Sequence, residues 1–425
     1  MNYIDLFAGA GGLSEGFIRE GFNSVAHVEM DEAACNTLKT RTAYYYLIEN
    51  DKKEVYIKYI KGEISRDELY KMIPQNLLNS VINKAIGPDQ NKEIFKNIDA
   101  LREGKSIDLI IGGPPCQAYS LPGRSRDKNK MVGDPRNYLF EQYAEFLKYY
   151  EPQYFVFENV VGLLSAKSAD GSLYLDKMRV CFREAGYTIE FKKIETKDYG
   201  ILQNRKRVII IGKKGTETGF YPVFEKWNPN VKVQEIFEDL PAIKAGEGNF
   251  RYTPYLISNE GYLSESNIRN GLDFTTHHVA RPHTVQDKKI YSIAVEKWNK
   301  NKERLNYNDL PDELKTHENR SSFTDRFKVV AANLDHSQTV VAHIARDGHY
   351  YIHPDISQNR SISPREAARL QSFPDDYYFE GTIDKPSRTA SFKQIGNAVP
   401  PLMAQSIAFK IKDLLLNYNK KPIIL

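Results

Sequence analysis

Cys116 follows the run Ile110-Ile111-Gly112-Gly113-Pro114-Pro115, so a thiol stands just past an apolar strand on backbone that two prolines hold with little freedom. That is a setting for a nucleophile rather than a core filler. Cys35 and Cys181 have no such setting and read as structural. A carboxylate, Glu158, ends a second apolar run, Tyr154 to Phe157. In a parallel sheet, strand ends open onto one edge, where Cys116 and Glu158 converge. A further run, Val208 to Ile211, is preceded by Gln203-Asn204-Arg205-Lys206-Arg207. Strand alternation points Gln203, Arg205 and Arg207 to one side, and arginines there suit a phosphate or a base carbonyl.

Asp5-Leu6-Phe7-Ala8-Gly9-Ala10-Gly11-Gly12 carries a strand end into a glycine turn and then a helix beginning near Leu13. Such a turn lets backbone approach a ligand beside a helix amino end, and it serves dinucleotides, adenosyl ligands or tight packing alone. Glu29, about 20 residues on at the end of the next strand, is placed to accept ribose hydroxyl hydrogens. A nucleoside-type cofactor is the expectation. The spacing Gly9, Gly11, Gly12 departs from the dinucleotide pattern, which argues against nicotinamide.

The elements that must hold these residues recur through the first half. Short apolar runs at Tyr3 to Leu6, Ser24 to Val28, Ile107 to Ile111, Tyr154 to Phe157 and Val208 to Ile211 read as buried parallel strands. Asn137 to Tyr150 places Leu139, Phe140, Tyr143, Phe146 and Leu147 at helical spacing before Pro152 stops it. Strand, crossover helix, strand is the repeating unit, and the fold class is α/β: a Rossmann-like doubly wound sheet with a second, smaller irregular domain. Residues 1–213 make the cofactor-binding and catalytic domain, with a Tyr-, Lys- and Glu-rich helical insertion at 42–97 carrying nine Lys/Arg and eight Asp/Glu. Residues 214–357 lose the alternation, with only scattered strand signals at Thr339 to Ile344 and His349 to Ile352. A hinge segment at 358–387 follows. Residues 388–425 return to the first domain; helical patterns resume at Ser363 to Ser372 within the hinge segment and at Pro401 to Leu416 after it.

The chain of 425 residues has a net charge of only +4, yet residues 192–214 hold eight cations against Glu195 and Asp198. Residues 120–137 add five cations against two acids. Polyanion binding is the expectation. Three cysteines suit a reducing compartment and leave no disulfide framework. No apolar run reaches the ~18 residues of a membrane helix, and Met1 leads directly into a strand-like segment. A cytoplasmic, nucleoid-associated monomer with no membrane contact is expected. His277, His278 and His283 cluster, and His336, His343, His349 and His353 follow, but neither a Cys/His finger spacing nor HExxH is present. No metal is expected; these histidines read as packing or DNA contacts.

The ordered set DLFAGAGG, GGPPCQAYS, ENV, QNRKR, SPREAARLQSFPDD (Ser363 to Asp376) and QIGNAVPP (Gln394 to Pro401) resembles the cytosine-5 DNA methyltransferase family, in the family's order and over nearly the whole chain. The resemblance implies S-adenosyl-L-methionine as cofactor, S-adenosyl-L-homocysteine as product, and a cytosine flipped out of double-stranded DNA. It implies that Phe7, Ala8, Gly9, Gly11, Gly12, Glu29, Met30, Asp99, Gly113, Pro115, Leu139, Asn397 and Ala398 form the cofactor site. Within that set Glu29 takes the ribose, Met30 packs on adenine and Asp99 meets the adenine amino group, while Phe140 joins Leu139 in flanking the cofactor. Gln117, Ser120, Arg124 and Gln203 would touch DNA, and residues 120–137 would close over the flipped base. Bacterial relatives of this type often work beside a restriction endonuclease acting on the same site.

The implied chemistry suits the residues. C5 of cytosine is too poor a nucleophile to take a methyl group unaided, so Cys116 attacks C6. Glu158 protonates or hydrogen-bonds N3, and Arg205 and Arg207 stand at the reacting ring, Arg207 holding O2. Burial is expected to favour the protonated form of Glu158. Base-edge reading falls to residues 214–357. A two-cysteine RNA methyltransferase would need a cysteine where Glu158 stands. A transfer-RNA enzyme on the same scaffold would not need so large a variable domain. Amino methyltransferases end their Pro-Pro motif in an aromatic residue, where this chain has Cys116. A non-enzymatic DNA-binding regulator would need room for an added binding helix ahead of the cofactor motif.

Overall fold

The computed structural model describes residues 1–115, 119, 135–258, 260–318, 320–321 and 323–418. Seven strands form one sheet: β1 (Asn2–Leu6), β2 (Asn23–Glu29), β3 (Val81–Asn83), β4 (Leu109–Gly112), β5 (Tyr154–Val160), β6 (Tyr187–Glu195) and β7 (Lys206–Lys214). Their order is β3-β2-β1-β4-β5-β7-β6, and β7 alone runs antiparallel to its neighbours. The Val208 to Ile211 run was expected to be a parallel strand, so its direction is a correction. Only the short stretch 196–205 links β6 to β7, too little for a crossover, so the two form a hairpin. This reversal matters for the site. Val160 at the end of β5 pairs with Arg207 at the start of β7, so the two termini share the carboxyl edge. A parallel β7 would have put Arg207 on the opposite edge.

Strand alternation divides the core between two faces. Ile110, Phe155, Phe157 and Ile210 pack with Phe140, Tyr143 and Phe146 of α7 (Leu139–Tyr150) on one side. Leu109, Ile111, Val156, Ile209 and Ile211 pack on the other side with Leu13 and Phe17 of α1 (Gly12–Arg19). Met403, Ile407 and Ile411 of the last helix, Pro401–Tyr418, complete that second layer. Burial on both faces explains why β4 and the centre of β7 read as continuous apolar runs rather than alternating ones. A Cβ on Gly16 would lie 2.3 Å from Gln405 N, so glycine there lets α1 and the last helix touch backbone to backbone.

Between β2 and β4 the chain makes α2 (Glu32–Glu49), α3 (Lys53–Lys61), α4 (Arg66–Lys71), α5 (Gln75–Asn79), β3 and α6 (Asn91–Arg102). Helical character at 42–97 agrees with the sequence reading, but α2 begins ten residues earlier and the stretch also supplies the edge strand β3, parallel to β2. The helices are not peripheral: Tyr56, Tyr59 and Ile60 form a core with Leu272, Phe274 and Tyr378. α8 (Tyr174–Glu184) packs near β6.

Residues beyond β7 are irregular apart from a one-turn helix at Tyr262–Glu265 and α9 (Val285–Asn301), α10 (Pro364–Leu370), α11 (Arg388–Asn397) and α12 (Pro401–Tyr418), with short 3-10 turns and two-residue strands between. Thr284 and Asp287 form a reciprocal capping box that starts α9, a sequence signal the irregular composition hid. Thr339 to Ile344, expected as a strand, ends instead in a 3-10 turn at Ala342–Ala345. The segment Ser363 to Asp376 is buried throughout. Arg360 grips Glu366 through two 2.7 Å bonds, and Arg369 bridges Asp239 and Asp375. Among the described residues no helix is long and apolar enough to cross a membrane.

Candidate active site

β1 is followed by Phe7, whose φ of 57° starts the turn that Gly9 (φ 54°) and Gly11 (φ 80°) continue into α1. A Cβ on Gly9 would meet nothing within 4 Å, whereas one on Gly12 would lie 2.3 Å from Val399 O and 3.2 Å from Ala398 Cβ. Gly12 therefore serves close packing of the α11–α12 junction onto the turn, and Gly9 faces open space. Ala8 N donates to Val28 O, fixing the turn beside the end of β2. There Glu29 accepts three backbone N–H groups, from Gly9, Met30 and Asp31, each at 2.8 Å. Met30 is 66% exposed, an apolar platform at the strand end. Asn397 closes α11 with its side chain exposed, and Lys393 on the same helix pairs with Asp31 at 2.6 Å. The open side of Gly9, the fixed Glu29 acceptor and the exposed Met30 fit a nucleoside with a flat base. Leu139 begins α7 half-buried, and Phe140 beside it is core.

Sequence reasoning gave Asp5 no role. Its carboxyl is buried, and Oδ2 has no hydrogen-bond partner among the described residues. Desolvation, and then the nearby Glu29 charge, push its pKa well above the ordinary carboxylate range. The signal was a carboxylate inside an otherwise apolar strand.

Across the same edge, Glu158 Oε1 and Arg207 Nε are 2.6 Å apart, with both side chains about one-eighth exposed (13% and 12%). Arg207 Nη1 also donates to its neighbour's carbonyl, Lys206 O, at 2.8 Å. A Cβ on Gly113 would lie 2.8 Å from Glu158 Oε2, so the glycine leaves room for the carboxylate beside the Pro114-Pro115 turn. Asn159, fully buried, holds Pro114 O through Nδ2 at 3.5 Å and its own Val160 N at 2.9 Å. Glu158, expected to be governed by burial, stands instead in an ion pair with Arg207. Cys116, Gln117, Ser120 and Arg124 lie outside the described residues, as does 120–134 of the expected closing loop. Cys35 is buried with its Sγ donating to Glu29 O, and burial pushes its pKa up to about 12; Cys181 is pushed up to about 11 by the same cause. Both are held as thiols, in keeping with structural roles.

Three assigned residues are placed away from that edge or out of reach. Asp99 sits near the end of α6, paired with Arg102 at 2.8 Å and accepting from Tyr149. From there the chain leads to the start of β4, so Asp99 faces the amino edge of the sheet, opposite the glycine turn. The position beside Glu29 belongs to Asn83 in β3, which donates to Glu29 O and Met30 O. Arg205 is 1% exposed and gives its guanidinium to Val340 O and Gly396 O. Gln203 is fully buried, donating to Leu370 O and Gln371 and accepting from Val340 N. Both precede β7, where strand alternation does not apply, and both brace the sheet against the second half of the chain. Ser363 to Asp376 acts likewise: Arg41 joins Glu15 of α1, at 2.6 Å, to Asp376, at 3.0 Å. Burial alone would raise the pKa of Glu15, but Arg41 and Arg19 outweigh it and hold it low.

His277, His278 and His283 are packing groups. His277 faces Phe379 O and Thr276, His278 faces Pro241 O and Ser363, and His283 meets Ser361. Among the described residues no group of three His, Cys, Asp or Glu side chains is arranged to hold a metal.

The family model for C-5 cytosine-specific DNA methylase matches residues 1–74 and 78–413. The chain belongs to that family. Membership makes it a DNA cytosine-5 methyltransferase. The chain is 40% identical to the type II methyltransferase M.Bpa9945I of Bacillus paralicheniformis over 99% of its own length and all of that protein. It is 31% identical to the type II methyltransferase M.DdeI of Desulfomicrobium norvegicum, over 99% of this chain and 90% of the other. A solved structure of a candidate DNA modification methyltransferase encoded in an E. coli prophage shares the fold, with TM-score 0.61 and 23% identity over 98% of this chain and 99% of that one. The family's α/β architecture is therefore that of this methyltransferase.

Proposed function

We propose that this methyltransferase turns a cytosine out of duplex DNA at a defined sequence and methylates it through Cys116, as the modification enzyme of a restriction–modification system with a cognate endonuclease. The observation that carries the reading is the Glu158–Arg207 pair at 2.6 Å, on the same sheet edge as the Gly9–Glu29 turn. S-adenosyl-L-methionine, held by Phe7, Gly9, Glu29, Met30 and Asn397, would supply an electrophilic methyl group there and leave as S-adenosyl-L-homocysteine.

A stacked cytosine offers neither face of C6 to a thiolate, so extrusion precedes chemistry at a cost of a few kcal/mol. The Cys116 sulfur adds to C6 and electron density gathers at C5. Glu158, having taken a proton from solvent as the base displaces Arg207, donates it to N3, and Arg207 donates to O2, so the one negative charge that spreads over the ring is met at both heteroatoms. After methylation at C5, solvent water takes the C5 proton, the electron pair so released expels Cys116 as thiolate, and N3 returns its proton to Glu158, which restores the aromatic ring. The resting ion pair readies the two side chains for a base that separates them: each has a partner before the base arrives and another after. Bases on the two recognised strands are read by side chains of the irregular domain.

The test is transfer of a tritiated methyl group to duplex DNA, with bisulfite sequencing to locate the product. Wild-type protein is expected to yield 5-methylcytosine at one sequence and Cys116→Ala none. Methylation by the Cys116→Ala protein would remove the proposed nucleophile.

A further inference from the structure

The strongest unabsorbed feature is the turn Val341–Arg346 and what holds it. Ser337 to Val340 lies along the chain that leads into β7: Ser337 N donates to Leu202 O, Asn204 N donates to Ser337 O, and Thr339 Oγ1 donates to Asn204 O. Arg205 then holds Val340 O at 2.8 Å, two residues before Arg207. The turn that follows is seated on the Gln394 to Pro401 motif so closely that a Cβ on Gly396 would lie 2.2 Å from Ala342 N. Arg281 closes it from the other side, donating to Ile344 O, Ala345 O and Arg346 O at 2.8 to 3.0 Å. A 3-10 turn with three consecutive carbonyls taken by one guanidinium, and Val341 O and His343 O taken by its own N–H groups, is fixed in space without a strand or longer helix. Its Arg346 is exposed, and that side chain has no protein partner among the described residues. Val341 beside it is 41% exposed.

We propose that Arg346 is a specificity-determining residue, reading the major-groove edge of a guanine in the recognised sequence from a turn fixed beside the reacting cytosine. This rests on the proposed action on duplex DNA. An arginine fork matches guanine O6 and N7 with two parallel hydrogen bonds, the commonest base-specific contact, and that match needs a backbone that does not move. Arg281, Gly396 and Arg205 supply the fixed backbone and act as positioning residues.

The experiment compares wild type, Arg346→Ala and Arg346→Lys on a library of duplexes with randomised sequence, read by bisulfite sequencing, with salt dependence of binding measured alongside. Wild type is expected to require guanine at one position, and Arg346→Ala to accept other bases there with kcat/KM on the preferred site down roughly 5- to 150-fold. Arg346→Lys is expected to keep the wild-type salt slope while relaxing the same position, since it keeps the charge and loses the fork. Loss spread evenly over all sequences, with a shallower salt slope in Arg346→Ala, would make Arg346 a phosphate contact and overturn the proposal. Unchanged preference at every guanine would overturn it too. Wild-type protein leaving no 5-methylcytosine anywhere would instead remove the parent reading, and this one with it.

Discussion

Two glutamates end strands on the same sheet edge, and the structure holds them by different means. Glu29 takes three backbone N–H groups, so its orientation is a property of the fold. Glu158 takes one side chain, Arg207, which has rotatable bonds to spare. A carboxylate held by backbone is a fixed acceptor: it recognises a hydroxyl by standing still. A carboxylate held by a movable cation can exchange that cation for a substrate atom and recover it afterwards. On the proposed function this contrast divides the edge into a recognition half at β1 and β2 and a reaction half at β4, β5 and β7. Gly9 and Gly113 follow the same contrast, the first facing open space beside Glu29 and the second leaving room for the Glu158 carboxylate.

The sharpest way to break that contrast is to neutralise each carboxylate in turn. Glu158→Gln is expected to lower kcat by about 10²- to 10⁴-fold, the range of lost general acid–base catalysis, while calorimetric affinity for the cofactor stays within about twofold. A matching loss of cofactor affinity would erase the boundary between the halves. Arg207→Lys keeps the charge and loses the fork; kcat is expected to fall about 10²-fold. Since the proposed function has the two side chains act on one ring, the double variant should lose much less than the product of the single losses. Glu29→Ala should do the reverse. Cofactor affinity is expected to fall about 10- to 100-fold, as for loss of hydrogen bonds to a charged group, with kcat at saturating cofactor little changed. A fall in kcat with affinity intact would assign Glu29 to the reaction half.

The same contrast explains what the sequence disclosed. Glu29, Glu158 and the glycine turn were legible because each sits at the end of an apolar run, and a parallel sheet brings such ends together wherever they fall in the chain. Arg207 was legible only in part. Alternation gave Arg205 the same role, but β7 begins at Lys206, and one residue ahead of a strand the side chain is free to turn into the core. Asp99 was misplaced because β3 is three residues long and lies among helices, so Asn83 carried no periodic signal. The buried arginines in and just before Ser363 to Asp376 look like surface charge in a sequence. Only the fold shows Arg360, Arg365 and Arg369 each fully enclosed by carboxylates and carbonyls.

Fixed groups also set the smallest expected effect, the response of stability to acid. His27 under the glycine turn is fully buried against Ser14, and desolvation lowers its pKa to about 4. His277 and His353 in the second half are lowered to about 3, chiefly by burial and then by Arg365 and Arg360. An unfolded histidine titrates near 6.5, so between that value and the folded one the unfolded chain binds more protons. The stabilisation is therefore complete above about pH 6.5 and is lost as pH falls toward the folded values. Glu366 and Asp375, which their arginines hold below the usual carboxylate range against the opposing effect of burial, add a second loss that begins only near pH 4. The unfolding midpoint should thus begin to fall near pH 6.5, by several degrees before pH 5, and His353→Asn should flatten that limb while leaving the later one. A midpoint flat from pH 7 to 5 would mean that protons reach these histidines without unfolding the chain, and that the second half is less rigidly packed than its hydrogen bonds require.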